Sequence, residues 1–434
     1  MSRKATVAQE KDGLSNTADS PVEVSNTAKD SAREDAANGA PLLSSRRCWL
    51  SYCMLVFLAF SLGCSEFVVI GIEPELAESF NQSLAQVGNL ISLFALSYAI
   101  ATPVLAIVTG RVNRFVLMAI YLVIFVVMNY ITMIATNFST LLVVRIFMGA
   151  VAGPTLAVST TYVSDLLGYK RTSMGIAVLF AAFSIALVLS TSLCRVIVDN
   201  FSWRVTLDGA FAFSVVATLL VLVTLPKKLD RKQKVTSPSQ QIKLLGEPTI
   251  IFGMLSFVFG VGAVYTFYGY VTPYLETQLG LAISVSSVVL LGYGCICFIS
   301  NLMSGFLDMR FGVKVVPVIF AGLSGVMVCL WLARESVAPS LVCMGFLALL
   351  MYSFSVPAIA VFMDTARRFY PNAMVLAASV EPTAFNIGIS FGTVMGGLVV
   401  SNFGLGNVGI VGSVFAVIAC ACSLAMIRFW RRKR

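Results

Sequence analysis

A chain of 434 residues that is 58% hydrophobic, 12% charged and of mean hydropathy +0.89 has more apolar surface than a water-soluble core can bury, so lipid must solvate most of it. The complete lack of histidine excludes His-ligated zinc, Ser-His-Asp or Cys-His catalysis and imidazole relays, and leaves proton handling to carboxylates. The net charge of +9 falls in short clusters between apolar runs, a pattern of membrane topology that argues against a nucleic-acid partner.

Residues 1–45 are rich in Ser, Ala, Asn, Asp and Glu, which predicts a disordered tail; they contain no apolar h-region of a signal peptide. From Trp49 onward, apolar stretches of about 20 residues recur, each long enough to cross a hydrocarbon core of about 30 Å as a helix. Spans are predicted at 49–72, 87–109, 115–135, 138–163, 172–197 and 204–225, then at 249–271, 284–307, 313–333, 338–363, 373–398 and 405–428. The fold class is therefore an all-α membrane protein of twelve transmembrane helices, with an N-terminal half over 46–225, a basic linker over 226–248 and a C-terminal half over 249–434. The ten cysteines are scattered singly along these stretches and read as small buried hydrophobes.

An even number of spans puts both termini on one side. That side collects Arg46, Arg47, Arg111, Arg114, Lys170, Arg171, the run from Lys227 to Lys243, Arg310, Lys314, Arg367, Arg368 and the tail Arg431 to Arg434. The opposite connections offer Arg195, Arg204 and Arg334 against Glu73, Glu75, Glu78 and Glu276. The positive-inside rule then makes the termini and the linker cytoplasmic.

The two halves repeat one another. Gly63, Glu66 and Pro74 align with Gly262, Tyr265 and Pro273, and Ala106 to Arg111 aligns with Gly305 to Arg310. Pro154 pairs with Pro357, and A-F-S-I-A (Ala182 to Ala186) with A-F-N-I-G (Ala384 to Gly388). Four matches in one order, at offsets of 199 to 203, imply a six-plus-six duplication of the kind that places a solute site between the halves near the midplane.

An ionisable group at bilayer depth costs about 2.5–3.5 kcal/mol on insertion scales, so those present within spans mark function by default. Glu66, Arg145 and Glu381 are the clearest. Counting residues from the span ends puts Glu66 and Arg145 at the same depth, roughly 10 Å below the outer surface at 1.5 Å per residue, and so invites a pair. Such a pair either couples protonation of Glu66 to release of Arg145 or merely ties spans 1 and 4 together. Glu381 precedes Pro382 in span 11, where it is either a second protonatable or substrate-binding group or a carboxylate reaching an inner aqueous vestibule. Asn386 and Asn129 are weaker candidates, since amides often serve as interhelical glue. Asp208, four residues after Arg204, reads as an interfacial helix pair, and Asp165 and Asp364 as edge pairing with nearby arginines. No G-x-x-x-x-G-K-[ST] loop is present and no cofactor is expected, so energy must come from an ion gradient or the solute's own gradient.

The stretches S-E-F-V-V-I-G-I-E-P-E-L-A (Ser65 to Ala77), P-V-L-A-I-V-T-G-R-V-N-R (Pro103 to Arg114), R-I-F-M-G (Arg145 to Gly149) and F-S-W-R (Phe201 to Arg204) together resemble the major facilitator superfamily over about 49–430. Within it, the chain looks like the twelve-span drug–proton antiporter branch that includes sugar-efflux and nucleoside-efflux permeases. The resemblance implies two pseudo-symmetric halves rocking about a cavity lined by spans 1, 4, 7 and 10, with Arg145 linked to proton transfer. It also assigns gating to the loops of Arg111 and Arg114 and of Gly305, Asp308, Arg310 and Gly312. The loop aspartate of the superfamily is Thr109 in the first half and survives as Asp308 in the second, so such a gate leans on the second half. The span 5 antiporter motif is degraded, reading F-S-I-A-L-V-L-S-T-S-L-C-R from Phe183 to Arg195.

The expectation is a monomeric proton-coupled exporter of a small organic molecule in a bacterial inner membrane, not an enzyme, with protons and the lipid bilayer as its other partners. Proton-coupled uptake and a non-transporting sensor or scaffold are the rivals.

Overall fold

The computed structural model describes residues 45–109, 112–167, 171–227, 243–370 and 373–432. The expected tail, Arg111, Lys170 and most of the basic linker lie outside the described residues. Span 1 is Ser45–Gly71, span 2 Leu84–Val108, span 3 Arg114–Ile134, span 4 Phe138–Leu167, span 5 Thr172–Asn200 and span 6 Trp203–Thr224. Span 7 is Pro248–Tyr268, span 8 Ile283–Phe311, span 9 Val315–Leu332, span 10 Val337–Met351 with Ser355–Phe369, span 11 Met374–Phe403 and span 12 Val408–Arg432. The stretch Ile283–Leu332 is 50 residues long and holds two spans, because the chain reverses at Gly312, whose φ of +59° suits glycine alone.

Local chemistry sets the starts of several spans. Ser83 and Gln86 form a reciprocal capping box before span 2, the Asn113 side chain caps span 3, and Pro248 opens span 7 where its missing N–H has no partner to lose. The twelve spans give a bundle with one end carrying the start of span 1 and the close of span 12, the terminal end, and an opposite distal end.

The internal repeat is legible in three dimensions. A Cβ on Gly63 would lie 2.6 Å from the Ala186 Cβ, so span 1 meets span 5 at the Ala182 to Ala186 stretch. A Cβ on Gly388 would lie 2.7 Å from Val261, and one on Gly392 2.4 Å from the Gly262 carbonyl, so span 7 meets span 11 at the equivalent place. The duplicated glycines thus mark one duplicated close helix crossing.

Span 10, expected as one helix over 338–363, is broken at Tyr352–Phe354. Pro357 cannot donate to the carbonyl four residues before it, and its ring crowds that turn. Span 8 satisfies N–H groups on either side of the break: the Tyr352 N–H donates to Ser300 Oγ at 3.0 Å and the Val356 N–H to Ser304 Oγ at 2.9 Å. Irregular backbone at this depth survives only with such partners.

The remaining polar expectations divide. Asp165 pairs with Arg114 at 2.9 Å and Asp364 with Arg368 at 2.8 Å, as edge pairs. Arg204 instead stacks over Trp203 at 4.6 Å and reaches the Ala135 carbonyl, so its expected pair with Asp208 does not form. Of the cysteines, Cys48, Cys64, Cys194 and Cys297 are buried, but Cys53, Cys295 and Cys329 are exposed. In lipid an exposed thiol is as well solvated as a methyl group, so hydropathy could not separate the two sets.

Candidate functional site

Arg145 and Glu66 meet, but not as carboxylate and guanidinium. Arg145 is almost fully buried and donates from Nη1 to the Ser65 carbonyl at 2.6 Å, from Nη2 to the Glu66 carbonyl at 2.7 Å and from Nε to the Leu90 carbonyl at 3.1 Å. Its guanidinium also lies over the Phe94 ring, 4.5 Å from the centroid. The ion pair that equal depth invites is therefore replaced by main-chain contacts: Arg145 fixes the backbone of span 1 while Glu66 Oε2, buried, has no hydrogen-bond partner. A buried polar atom left so is costly unless the site has a use for it.

Around Glu66 the bundle is aromatic. Tyr265 and Tyr268 meet edge to face at 5.6 Å, Tyr268 stacks on Tyr293 at 5.1 Å, and Tyr352 stacks on Phe385 at 5.7 Å. Tyr265 also lies edge-on to Phe385 at 6.4 Å, which joins spans 7, 8, 10 and 11 in one chain of rings. Tyr98 and Tyr352 each lie within electrostatic reach of both Glu66 and Glu381. Glu381 therefore belongs to the same site: it sits seven residues into span 11 from the terminal end, whereas Glu66 sits five residues from the distal end of span 1. The rings form an aromatic layer across spans 7, 8, 10 and 11. Glu381, Tyr352 and Phe385 are partly exposed, and the Tyr265 hydroxyl and Asn386 Oδ1 are buried without partners.

The two amides do different things. Asn386 donates from Nδ2 to the Pro382 carbonyl at 3.0 Å, within its own helix, and its buried oxygen has no partner. Asn129 accepts from Ser65 Oγ at 3.0 Å and donates to the Phe125 carbonyl, so it ties span 3 to span 1 beside Arg145. Of the gating residues, Arg114 pairs with Asp165, and Arg310 lies over Phe311 at 5.5 Å. Asp308 has no ion pair among the described residues. A Cβ on Gly305 would meet nothing within 4 Å, so only Gly312, with its positive φ, is required by backbone geometry in that loop.

The distal end holds a cluster that sequence reasoning missed. Arg195, with no exposed surface, donates to both oxygens of Glu75 at 2.8 Å, to Glu276 Oε2 at 2.8 Å and to the Gly71 carbonyl at 2.9 Å. Glu75 follows span 1 and Glu276 follows span 7, so this arginine clamps the two halves together. Thr272 adds a bond to the Ile70 carbonyl at 2.6 Å, and the Tyr270 hydroxyl sits where a Cβ on Gly88 would fall. Burial raises the Glu276 carboxyl above its ordinary range, with Arg195 opposing the shift. Burial also holds Glu73 well above that range; it is fully buried and neither of its oxygens has a partner. Only the acidic character of these connections was visible in sequence, as a topology signal.

Comparisons with known proteins come from three directions. The family model described as Major Facilitator Superfamily matches residues 55–271. An uncharacterized MFS-type transporter of Bacillus subtilis (strain 168), YtbD, is 26% identical over 367 residues, covering 84% of this chain and 91% of that protein. Among solved structures, an inward-facing, unoccupied bacterial homolog of the human lysosomal transporter Spinster matches with TM-score 0.75 at 16% identity, over 90% of this chain and 99% of the other. A D-xylose–proton symporter matches with TM-score 0.71 at 16% identity, over 88% and 97%. At such identities the solved structures speak to fold.

Proposed function

The chain belongs to the major facilitator superfamily, and from that premise we propose that it exports a small organic solute by proton-coupled alternating access. The observation that carries this reading is the unpartnered Glu66 carboxyl oxygen, buried within the bundle beside an arginine whose hydrogen bonds go to main-chain carbonyls. Glu66 takes the proton and Arg145 holds its helix in place, with Asn129 as a positioning residue. Protonation and solute occupancy compete at Glu66, and the halves rock about the aromatic layer.

The distal clamp supports a conformation closed at the distal end, with the site reached from the terminal end past Glu381. The distribution of basic residues supports a cytoplasmic terminal end, and the Bacillus relative supports a bacterial cytoplasmic membrane. The sequence motifs favour the drug–proton antiporter branch. The fold shared with a D-xylose–proton symporter keeps uptake as the alternative direction.

A resistance and export screen of a deletion strain identifies the solute, and everted vesicles then test the mechanism. Adding that solute to energised vesicles is expected to release protons from the lumen with the wild-type chain and not with Glu66→Gln. Proton entry accompanying solute would reverse the direction. Transport by Glu66→Gln with unchanged pH dependence would remove Glu66 from the mechanism.

A further inference from the structure

The outer face of the first half carries a groove that the transport reading leaves unused. It has a volume of about 530 Å³ and runs between spans 3 and 4, with Met128 and Ile131 on one wall and Val143 and Phe147 on the other. Val143 and Phe147 are 53% and 52% exposed, so the groove opens outward, where the spans meet lipid. Met128 lies seven residues before Ala135, which closes span 3, and Phe147 lies seven residues beyond Thr140 in span 4. At 1.5 Å per residue both walls reach roughly 10 Å from the distal end into the bilayer.

The groove changes character along this depth. Its inner part is apolar and its distal rim is polar. At the rim Asn137 Oδ1 receives the Thr140 N–H at 2.8 Å and the Thr140 hydroxyl at 2.7 Å, which leaves the Nδ2 of Asn137 as a donor without a partner among the described residues. Arg204 stands at the connection that joins the two walls: its Nη1 donates to the Ala135 carbonyl at 3.4 Å, and its guanidinium lies over Trp203. Arg204 is exposed and forms no ion pair among the described residues, so most of its five N–H donors remain open. This order sorts partners. Apolar walls alone do not discriminate inside a bilayer, because lipid tails are as apolar as they are. A transmembrane helix needs a seam along a whole span, whereas the groove covers about two turns. A neutral glyceride offers the rim only ester oxygens, but a phosphate offers the charged acceptors that a guanidinium receives in a fork. Trp203 suits the same headgroup level.

We propose that the groove is a phospholipid site of the distal leaflet, with Arg204 and Asn137 holding the phosphate and one acyl chain lying between spans 3 and 4. The inference needs only that the chain spans a bilayer, not the direction or the coupling of transport. Val143 and Phe147 lie two residues to either side of Arg145 and therefore on the opposite side of span 4. The lipid thus backs the turn whose arginine holds the carbonyls of Ser65 and Glu66 in span 1.

The test uses the purified full chain, delipidated in detergent, and native mass spectrometry, which counts bound lipids singly. Two probes with the same acyl chains, phosphatidylglycerol and diacylglycerol, differ in the phosphate headgroup. Phosphatidylglycerol is expected to fill one saturable site and to bind about tenfold more tightly than diacylglycerol, the factor that a charge-assisted hydrogen bond supplies. Arg204→Gln should remove that preference and leave diacylglycerol binding as it was. Val143→Trp fills the groove from an exposed position and should abolish the saturable site for both probes. Val318→Trp, 68% exposed on span 9, is the control and should leave the site intact. A size-exclusion profile matching the wild type keeps loss of fold apart from loss of the site in each variant. Adducts that never saturate, a site that survives Val143→Trp, equal effects of the two tryptophans, or an unaltered preference in Arg204→Gln would each overturn the proposal. A chain that moved no solute would still give the expected lipid result, so this inference and the transport reading fail separately.

Discussion

The two largest charged side chains hidden in this molecule, Arg145 and Arg195, solve the same problem in opposite ways. Arg195 is neutralised by two carboxylates, Glu75 and Glu276, that come from different halves. Among the described residues Arg145 forms no ion pair with a carboxylate; it is solvated by three carbonyls from spans 1 and 2 and by the face of Phe94. A guanidinium bound to carboxylates joins mobile parts, since each partner brings its own charge and each departure exposes one. A guanidinium bound to carbonyls organises backbone and leaves nearby carboxylates chemically available. The first arrangement suits a clamp, the second a titrating site.

Removing Arg195 should have the largest effect on conformation. Breaking a buried ion pair by deleting one partner costs about 3–5 kcal/mol, and the partial exposure of Glu75 and Glu276 reduces that to about 2–3 kcal/mol. At 1.4 kcal/mol per tenfold, Arg195→Ala should raise the population open at the distal end by about thirtyfold or more. Spin-label distances between the distal ends of spans 1 and 7 measure this; an unchanged distribution would mean that the clamp does not hold the halves. Arg145→Lys sharpens the contrast. Lysine keeps the charge but cannot address three carbonyls in a fixed fork. Distal distances should stay as in the wild type, whereas transport of the identified solute should fall about tenfold. Loss of both, or of neither, would erase the distinction between the two arginines.

The contrast also marks where sequence reading reached its limit. Twelve spans, the duplication and the positions of Glu66, Arg145 and Glu381 were legible because hydropathy and the penalty for buried charge act through residue type alone. Equal depth brought Arg145 and Glu66 together correctly, but depth does not say whether a guanidinium addresses a carboxylate or the carbonyl of the same residue. Arg195 passed as a topology marker because it lies near the end of a span, where a lone arginine is unremarkable. Tyr293 and Tyr352 were not singled out, since an aromatic in an apolar helix is ordinarily a core residue. The break beside Tyr352 depends on Pro357 together with two serines about 50 residues away, a combination that periodicity cannot register.

A smaller effect is expected where span 8 supports the break in span 10. Ser300→Ala removes the hydroxyl that the Tyr352 N–H donates to and leaves it the Leu350 carbonyl alone, at a cost of about 1 kcal/mol. Thermal unfolding in detergent should show a modest decrease, and transport of the identified solute should fall about threefold as the Tyr352 ring loses its fixed backbone. A full loss of transport with normal stability would place Ser300 itself in contact with the solute.

The least effect at neutral pH, and the most informative at high pH, belongs to Glu73. In the closed distal end its carboxyl is fully buried with both oxygens unpartnered, and burial raises its pKa well above the ordinary value of about 4.3. Opening returns it to water and to that ordinary value, so closing takes up a proton between the two. The contribution to closure is complete below the ordinary carboxyl range and is lost as pH rises through the closed-state value, at up to about 1.4 kcal/mol per pH unit in the interval. The raised Glu276 acts in the same direction, held back by Arg195. Glu73→Gln mimics the protonated form: at low pH its spin-label distances should match the wild type. As pH is raised the wild type should open and the variant should open less. If the two titrate together, Glu73 carries no proton in the closed state, and the pH response of the distal end must be assigned to Glu276 and its arginine.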